Sequence, residues 1–179
     1  MYAVVLDACV LVPYPLFDLL LRTAEEGLYR PLWSAEILEE VHRTNVNKLG
    51  LTEAAATKRI AAMQRAFPDA EVSGHMALVP ALQNDPKDRH VLAAAVASDA
   101  AAVITANLKD FPAEALSPHG VEAIHPDAFL LDLLDLNEVA VRRAVYAMFA
   151  ANANPPKSVE DLVEFARGTT PNFAAALLV

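Results

Sequence analysis

Short apolar runs alternate with longer amphipathic stretches along the first two thirds of the chain. Four runs have the length and the β-branched or aromatic content of buried strands: 2–6 (YAVVL), 28–33 (LYRPLW), 101–105 (AAVIT) and 121–124 (VEAI). Within them, Pro31 disfavours a central strand. Strands that alternate with helices are typical of an α/β domain. We therefore predict three layers, in which helices flank a central, mostly parallel sheet.

Helix start and stop signals divide the amphipathic stretches. A helix that begins at Phe17 is expected to end at Gly27, because glycine is common just after a helix. Ser34 lies where an N-cap is expected, with Trp33 and Leu38 placed as a hydrophobic staple. The predicted helices of this part run over 17–27, from 34 to about 47, over 52–67, and from 85 to about 99.

The last third of the chain, from His125 onward, contains only helical patterns. They cover residues near 127–134, 137–151 and 158–167, and the linker ANANPP separates the last two. We expect two domains, an α/β domain over 1–125 and a helical C-terminal extension over 126–179.

Composition limits the possible functions. The 179 residues carry a net charge of −9, and the parts before and after His125 are both acidic. A long-range basic field for nucleic acid is therefore absent, so a polyanion would have to be bound by a few local cations or by metal. The single Cys9 excludes an intrachain disulfide. The chain has no apolar run of membrane length and no basic leader segment, so we expect a cytoplasmic protein without a membrane span.

Polar residues follow two of the predicted strands. Asp7 ends the first, and Thr105 ends another, with Asn107 and Asp110 just beyond it. Ligands of open parallel sheets bind outside the carboxyl ends of the strands, so these side chains are expected to meet at one edge. The alternative is that Asp7 only caps the element that follows.

Asp88 shares a helical stripe with Val91 and Leu92, which belong to the face that packs on the sheet. A partly desolvated carboxylate is costly unless it is paired or binds a cation, and a divalent metal shared with Asp7 would offset that cost. Capping is the alternative. With Asp85 as the N-cap, Asp88 is the third helical residue, a position where acids are common.

The helix after Ser34 contributes a third acid. Glu40 lies at the border of its apolar side and can reach into a cleft, whereas Glu39 faces solvent and suits an ion pair with Arg43. Taken alone, Glu40 is more simply a solvated acid. Hard oxygen ligands without cysteine or a clear histidine pair favour Mg²⁺ or Mn²⁺ over zinc. Together, the acids favour a metal site for phosphate-ester chemistry.

Three segments resemble the PIN-domain family, in particular the VapC-type toxin ribonucleases of toxin–antitoxin pairs. They are VVLDACVLVP, LWSAEILEEVHR and DPKDRHVLAAAVASDAAAVITANLKDFP, in the order and roughly the spacing of the family. The C-terminal helical part resembles the extra region of a longer subgroup. The resemblance implies a PIN-like fold and a metal-dependent endoribonuclease that hydrolyses RNA phosphodiesters as the toxin of a type II toxin–antitoxin pair.

Carried over by position, the resemblance implies that Asp7, Glu40 and Asp88 bind Mg²⁺ or Mn²⁺. The family's fourth acid falls in the loop after Thr105 or its equivalent, where this chain has Asn107 at the usual position and Asp110 shortly after it. The implied partners are the RNA substrate, a cognate antitoxin and a second copy of the chain in a homodimer.

The chain departs from the family directly after Asp7. Ala8 and Cys9 stand where a small hydroxyl residue and an asparagine are usual. We therefore expect the hydrogen bonds that those side chains give to Asp7 to be missing here. Cys9 is expected to pack as a small apolar group.

Cations beside the cleft would have to bind the substrate phosphates. Four basic residues lie next to the proposed cleft elements: Arg43, Lys87, Arg89 and Lys109. Thr105 is a further candidate, because its hydroxyl could orient the loop or a bound water. Ordinary surface or strand-end positions explain each of these residues equally well. The helical pattern puts His90 on the outward, solvated side of its helix.

Other functions remain open. The residues after Asp7 and the acidic net charge also suit a catalytically inactive PIN fold that acts as an RNA- or protein-binding module. A phosphatase with Asp7 as its nucleophile usually needs a second acid two residues on, where this chain has Cys9. A dinucleotide-binding fold would need a G-x-G after the first strand, which is absent.

Overall fold

Five parallel strands form the centre of the fold. The computed structural model describes residues 2–151 and 168–178. The strands are β1 Ala3–Leu6, β2 Arg30–Ser34, β3 Glu71–Val72, β4 Ala102–Ile104 and β5 Glu122–Ile124. Their order across the sheet is β3-β2-β1-β4-β5, and each neighbouring pair is parallel. The predicted parallel sheet is confirmed, although β3 has only two residues and was not predicted.

Helices connect and flank these strands. They are α1 Ala8–Leu11, α2 Leu16–Glu25, α3 Ala35–Asn47, α4 Glu53–Ala66, α5 Arg89–Ala97, α6 Ala113–Leu116, α7 Pro126–Leu136, α8 Glu138–Ala150 and α9 Pro171–Ala176. Short 3₁₀ segments lie at His75–Ala81, Leu108–Asp110 and Ser117–His119. The three-layer α/β class is thus confirmed. The helix predicted near 158–167 lies outside the described residues. In the part that is described, no helix combines the length and apolar character that crossing a membrane would require.

Pro31 is tolerated in β2 because of where its backbone nitrogen points. The amide of Arg30 donates to Tyr2 beside β1, whereas the amide of Trp33 donates to Ala70 on the opposite side. The nitrogen of Pro31 faces that second side, where pairing with β3 begins only at Trp33. No ladder hydrogen bond is lost, so the strand predicted at this position forms despite the proline.

The start of α3 follows its predicted cap. The Ile37 amide donates to Ser34 Oγ over 3.3 Å, which satisfies one of the free amides at the start of the helix. Trp33, directly before this cap, is fully buried and packs edge to face on Phe67, with ring centroids 6.0 Å apart.

The C-terminal helices share the apolar core of the sheet. Phe129 of α7 packs edge to face on Tyr29, with ring centroids 4.9 Å apart, and both are buried. On the surface, Arg143 of α8 forms an ion pair of 2.8 Å with Glu26 at the end of α2. The division at 125/126 stays a prediction, since α7 and α8 are packed into one continuous core with the sheet.

The start of α5 was predicted wrongly. The helix begins at Arg89 and not at Asp85, and a turn precedes it. Asp85 Oδ1 accepts a hydrogen bond from the Lys87 amide at 3.0 Å, and Asp85 carbonyl accepts one from the Asp88 amide at 2.9 Å. An aspartate that bonds its own backbone two residues on stabilises a turn in competition with a helix.

Candidate active site

The strand order creates a crevice at β1. From this strand the chain builds outward through β2 and β3 on one side, and through β4 and β5 on the other. Ligands of open α/β sheets bind at such a reversal, outside the carboxyl ends of the two strands that meet there. Asp7 follows β1 and Thr105 follows β4, and the Asp7 amide donates to Ile104 at 3.1 Å.

Asp7 is buried and its carboxylate is oriented by two donors. The side chain is 3% exposed. Thr105 Oγ1 donates to Asp7 Oδ2 at 2.7 Å, and Cys9 Sγ donates to the same oxygen at 3.1 Å. The Asn107 amide in turn donates to Thr105 Oγ1 at 3.0 Å. Thr105 therefore connects the carboxylate at the end of β1 to the loop after β4.

The expectation that Asp7 lacks a hydrogen bond from the residues after it was wrong. Cys9 supplies one through its thiol, although it also packs against the apolar core as expected. Burial, followed by the negative charge of Asp7, raises the pKa of the thiol to about 12. The thiol therefore stays protonated at neutral pH, and a protonated thiol can donate to the carboxylate.

A cavity of about 620 Å³ lies near this site; Asp7 is not among its lining residues, but the charge of Asp7 acts on Asp88, which is. Helix α3, the 3₁₀ segment at His75–Ala81, the turn before α5 and the loop after β4 form its walls. Its acidic lining residues are Glu36, Glu39, Glu40, Asp88 and Asp110, and Asn107 lies with them. The Asp85 amide donates to the Asp110 carbonyl at 3.2 Å, so the turn before α5 and the loop after β4 are joined directly.

Asp88 is the most perturbed acid of this cavity. Its pKa is raised to about 6, first by burial and then by the negative charges of four neighbours: Asp7, Asp110, Asp85 and Glu40. Its side chain makes no capping hydrogen bond at the start of α5, so the structure does not support the capping alternative. Neighbouring acids that repel one another favour binding of a cation.

The donor chemistry of the cavity fits Mg²⁺ or Mn²⁺, but the three-ligand arrangement is not formed. Over residues 2–151 and 168–178, no three histidine, cysteine or acidic side chains converge closely enough to hold one ion. Proteins usually bind Mg²⁺ through one or two carboxylates, while the ion keeps several waters. The ligand set Asp7, Glu40 and Asp88 therefore stays a prediction, which the crowding of charge around Asp88 supports.

The acids of α3 lie as their helical positions indicated. Glu40 is partly exposed and lines the cavity, whereas Glu39 is exposed at the rim. Arg43, one turn further on, is exposed and also lines the cavity. The structure gives Arg43 no ion pair with Glu39 among the described contacts, so its guanidinium faces the cavity without a carboxylate partner.

The predicted substrate-binding cations separate into two groups. Arg43 and Lys87 line the cavity, and both are exposed. Arg89 Nε instead donates to the Asn84 carbonyl at 3.2 Å, and neither Arg89 nor Lys109 is part of the lining. Arg43 and Lys87 are thus the better candidates for contact with a ligand in the cavity.

His90 lies in the cavity wall, so the prediction of a solvated, outward histidine was wrong. Its side chain is 17% exposed, and Nε2 lies 4.0 Å from Glu40 Oε2. Nδ1 lies 2.9 Å from the Lys87 carbonyl. Because α5 begins only at Arg89, His90 belongs to the first turn of the helix, at the end that opens onto the cavity.

Sequence reasoning also missed part of the wall. Glu36 lines the cavity and lies one helical turn before Glu40, a spacing that could have indicated it. His75 Nε2 lies 3.1 Å from Glu36 Oε2. Met76 and Val79 of the 3₁₀ segment complete this side of the cavity, and no periodicity in the sequence indicated them.

Comparison with known proteins identifies the family of the chain. The family model described as PIN domain matches residues 3–109, and the model described as VapC50 C-terminal domain matches residues 126–179. A curated relative, the putative ribonuclease VapC50 of Mycobacterium tuberculosis, is 45% identical over 102 residues. This match covers 57% of the chain and 60% of the relative, so the chain spans less than two thirds of that protein. None of the solved structures matches the chain. Since the PIN-domain match extends over more than half of the chain, this protein belongs to the PIN-domain family.

Proposed function

We propose that this protein is a metal-dependent endoribonuclease of the VapC type, which hydrolyses phosphodiester bonds in RNA. The observation that carries the proposal is the crowding of acids around Asp88 at the crevice between β1 and β4. The similarity to a protein named as a putative ribonuclease supports the same activity. Hydrolysis of a phosphodiester requires negative charge to be offset, and a bound metal ion would do this at a group of acids.

Asp7, Asp88 and Glu40 are the residues that would hold Mg²⁺ or Mn²⁺. Such an ion lowers the pKa of a bound water and offsets charge on the leaving oxygen. Within the chain, Thr105 and Cys9 fix the orientation of the Asp7 carboxylate. A fixed carboxylate loses no rotational freedom when the ligand binds, which favours binding.

The substrate phosphates are bound by Arg43 and Lys87, the basic residues that line the cavity. Asp110 and Asn107 face the same space from the loop after β4, so they orient the substrate or the ion on that side. Because only two cations of the described residues line the cavity, RNA affinity should fall only shallowly as salt rises. A steep salt dependence would indicate many phosphate contacts and would contradict this local binding.

RNA cleavage by purified protein tests the proposal. Wild-type protein is incubated with mixed cellular RNA and Mn²⁺, with and without EDTA, beside Asp88→Asn and a matched exposed control, Asp69→Asn. We expect cleavage that EDTA abolishes and that Asp88→Asn reduces by about 100-fold or more, while Asp69→Asn retains it. Cleavage that persists in EDTA and in Asp88→Asn would identify a contaminating nuclease.

The alternative is a catalytically inactive PIN fold that binds RNA or protein. The absence of a converged three-ligand group among the described residues favours it. The same experiment separates the two functions, because an inactive module would bind RNA in a gel-shift assay without cleaving any RNA at any Mn²⁺ concentration.

We further propose a cognate antitoxin, a homodimer and action in the cytoplasm. A basic protein segment suits an acidic cavity, and the exposed apolar side chains of Met76 and Leu108 lie on two of its wall elements. Co-expression with the product of a neighbouring small gene should yield a complex that no longer cleaves RNA.

Light scattering of the purified protein should give twice the mass of 19.3 kDa if it is a homodimer. Cell fractionation should recover it with the cytoplasmic proteins.

A further inference from the structure

Cys9 lies between the two strand ends that form the candidate site. It follows β1 by three residues, yet two of the three polar contacts that its sulfur makes with the described residues reach Thr105 and Ala106 beyond β4. The Ala106 amide donates to Cys9 Sγ at 3.3 Å, and Thr105 Oγ1 lies 3.4 Å from the same sulfur. The thiol donates to Asp7 Oδ2 at 3.1 Å. A single side chain therefore contacts both the carboxylate and the opposing loop.

Cys9 and Thr105 make equivalent connections. The Cys9 thiol and the Thr105 hydroxyl each carry one hydrogen, and each group donates it to Asp7 Oδ2. Each also accepts a backbone amide, Cys9 from Ala106 and Thr105 from Asn107. Two parallel chains of hydrogen bonds thus run from consecutive amides of the loop to one carboxylate oxygen. Linked hydrogen bonds polarise one another, so each chain strengthens the donation to Asp7.

Both donors meet Oδ2, and within the described part of the chain no residue donates to Oδ1 of Asp7. A carboxylate whose one oxygen is occupied by two donors presents the other oxygen to a ligand. From this geometry we infer that Cys9 is a positioning residue: together with Thr105 it fixes Asp7 so that Oδ1 is the oxygen available to the cation. The consequence for the cation rests on the proposed function, whereas the hydrogen bond itself does not.

The requirement at this position is for a γ atom that both donates and accepts. Serine has such a γ atom on a shorter bond. Valine keeps the side-chain volume without a hydrogen-bond donor, and alanine has neither the volume nor the donor. These three substitutions of Cys9 separate positioning from packing. If positioning matters, the order of function is Ser above Val and Ala, and if packing matters, Val comes first.

Binding of Mn²⁺ alone provides one readout, without RNA. Free Mn²⁺ is measured by electron paramagnetic resonance in titrations of the wild type, Cys9→Ser, Cys9→Val and Cys9→Ala, after thermal melting has shown that each is folded. We expect Cys9→Val and Cys9→Ala to bind Mn²⁺ about tenfold more weakly, and Cys9→Ser to lose less. Equal affinity in Cys9→Val and the wild type would overturn the inference. In RNA cleavage, Cys9→Val and Cys9→Ala should have a lower kcat than the wild type and an unchanged KM.

The S–H stretching band of the thiol provides a second readout that requires neither metal nor nuclease activity. Cys9 is the only cysteine, so the Raman spectrum contains one such band. Donation to a carboxylate lowers its frequency, and we expect Asp7→Ala to move the band to higher frequency. A wild-type band at the frequency of a free thiol would overturn the inference even if the protein proved to be a nuclease. A lowered band in a protein without cleavage would support it and reject only the proposed function.

Discussion

Asp127 is buried and Asp88 is partly buried, and the two carboxylates have opposite surroundings. Asp127 in α7 is 5% exposed and accepts three hydrogen bonds from the segment at α9. The Phe173 amide donates to its Oδ1 at 2.8 Å, and the amide and side chain of Asn172 donate to its Oδ2 at 3.2 and 2.7 Å. Asp88 accepts no capping hydrogen bond and is surrounded by other acids.

The difference shows how to distinguish a structural acid from a candidate functional one. A buried carboxylate whose oxygens receive donors from distant backbone holds two segments together. A carboxylate crowded by like charges destabilises the protein on its own and is stabilised only by a proton or a cation. Asp127 is therefore a structural acid, and Asp88 is the candidate functional one.

The largest expected effect comes from Asp127→Ala. Removing the acceptor leaves three donors without their partner, so the free energy of unfolding should fall by about 3 kcal/mol. Urea denaturation measures this loss, and Asp135→Ala is the matched control, since Asp135 is exposed on the same helix. Cleavage per folded molecule should not change. Equal destabilisation by both substitutions would show that α7 does not depend on this contact.

Added metal should stabilise the protein through Asp88. At Mn²⁺ tenfold above its dissociation constant, the free energy of unfolding of the wild type should rise by about 1.4 kcal/mol. Asp88→Asn should show little of this rise, and Asp69→Asn should show all of it. Thermal melting with and without Mn²⁺ tests both variants, and a full rise in Asp88→Asn would remove Asp88 from the proposed ligands.

Without metal, Asp88→Asn should make the protein more stable. The pKa of Asp88 is raised from its usual 3.8 to about 6, so the protonated form stabilises the fold below pH 4 and this contribution is lost as pH rises through 6. Above that pH the wild type carries a repelled charge that the amide lacks. Because Asp88 is partly exposed, the gain at pH 8 should be only about 1 kcal/mol, and it should disappear near pH 4. Denaturation in EDTA at both pH values measures it.

The smallest effect is expected at the cavity rim. Lys87→Gln should weaken RNA binding a few-fold and lower the slope of log affinity against log salt by about 0.7, the value for one single-strand phosphate contact. Lys109→Gln should change both less, because Lys109 does not line the cavity. Filter binding over a range of salt concentrations compares the two. The reverse order would move the RNA path to the loop after β4.

Most of the architecture follows from local sequence patterns. The apolar runs that form β1, β2, β4 and β5 are short, and the turns between them are distinct, so their strands could be predicted. β3 could not, because two residues paired with β2 have no periodicity of their own. α9 was not predicted either. It contacts Asp127 from 45 residues further along the chain, and such long-range contacts leave no local pattern.

The acids of the candidate site could be proposed from the sequence, whereas its hydrogen bonds could not. Asp7, Glu40 and Asp88 could be named because strand ends, helical faces and family resemblance indicate positions. The roles of His90 and Cys9 depend on where α5 begins and on the loop after β4. The side chain of Asp85 stabilises a turn in place of a helix, and this decides where α5 begins.

The hydrogen bond between the Asp85 amide and the Asp110 carbonyl has a consequence for evolution. It joins two cavity walls through main-chain atoms, so the bond itself does not depend on which side chains occupy positions 85 and 110. The side chain of Asp110 can change while the bond persists, and that of Asp85 is needed only for the turn before α5. Proline at position 85 is the exception, because it has no amide hydrogen to donate.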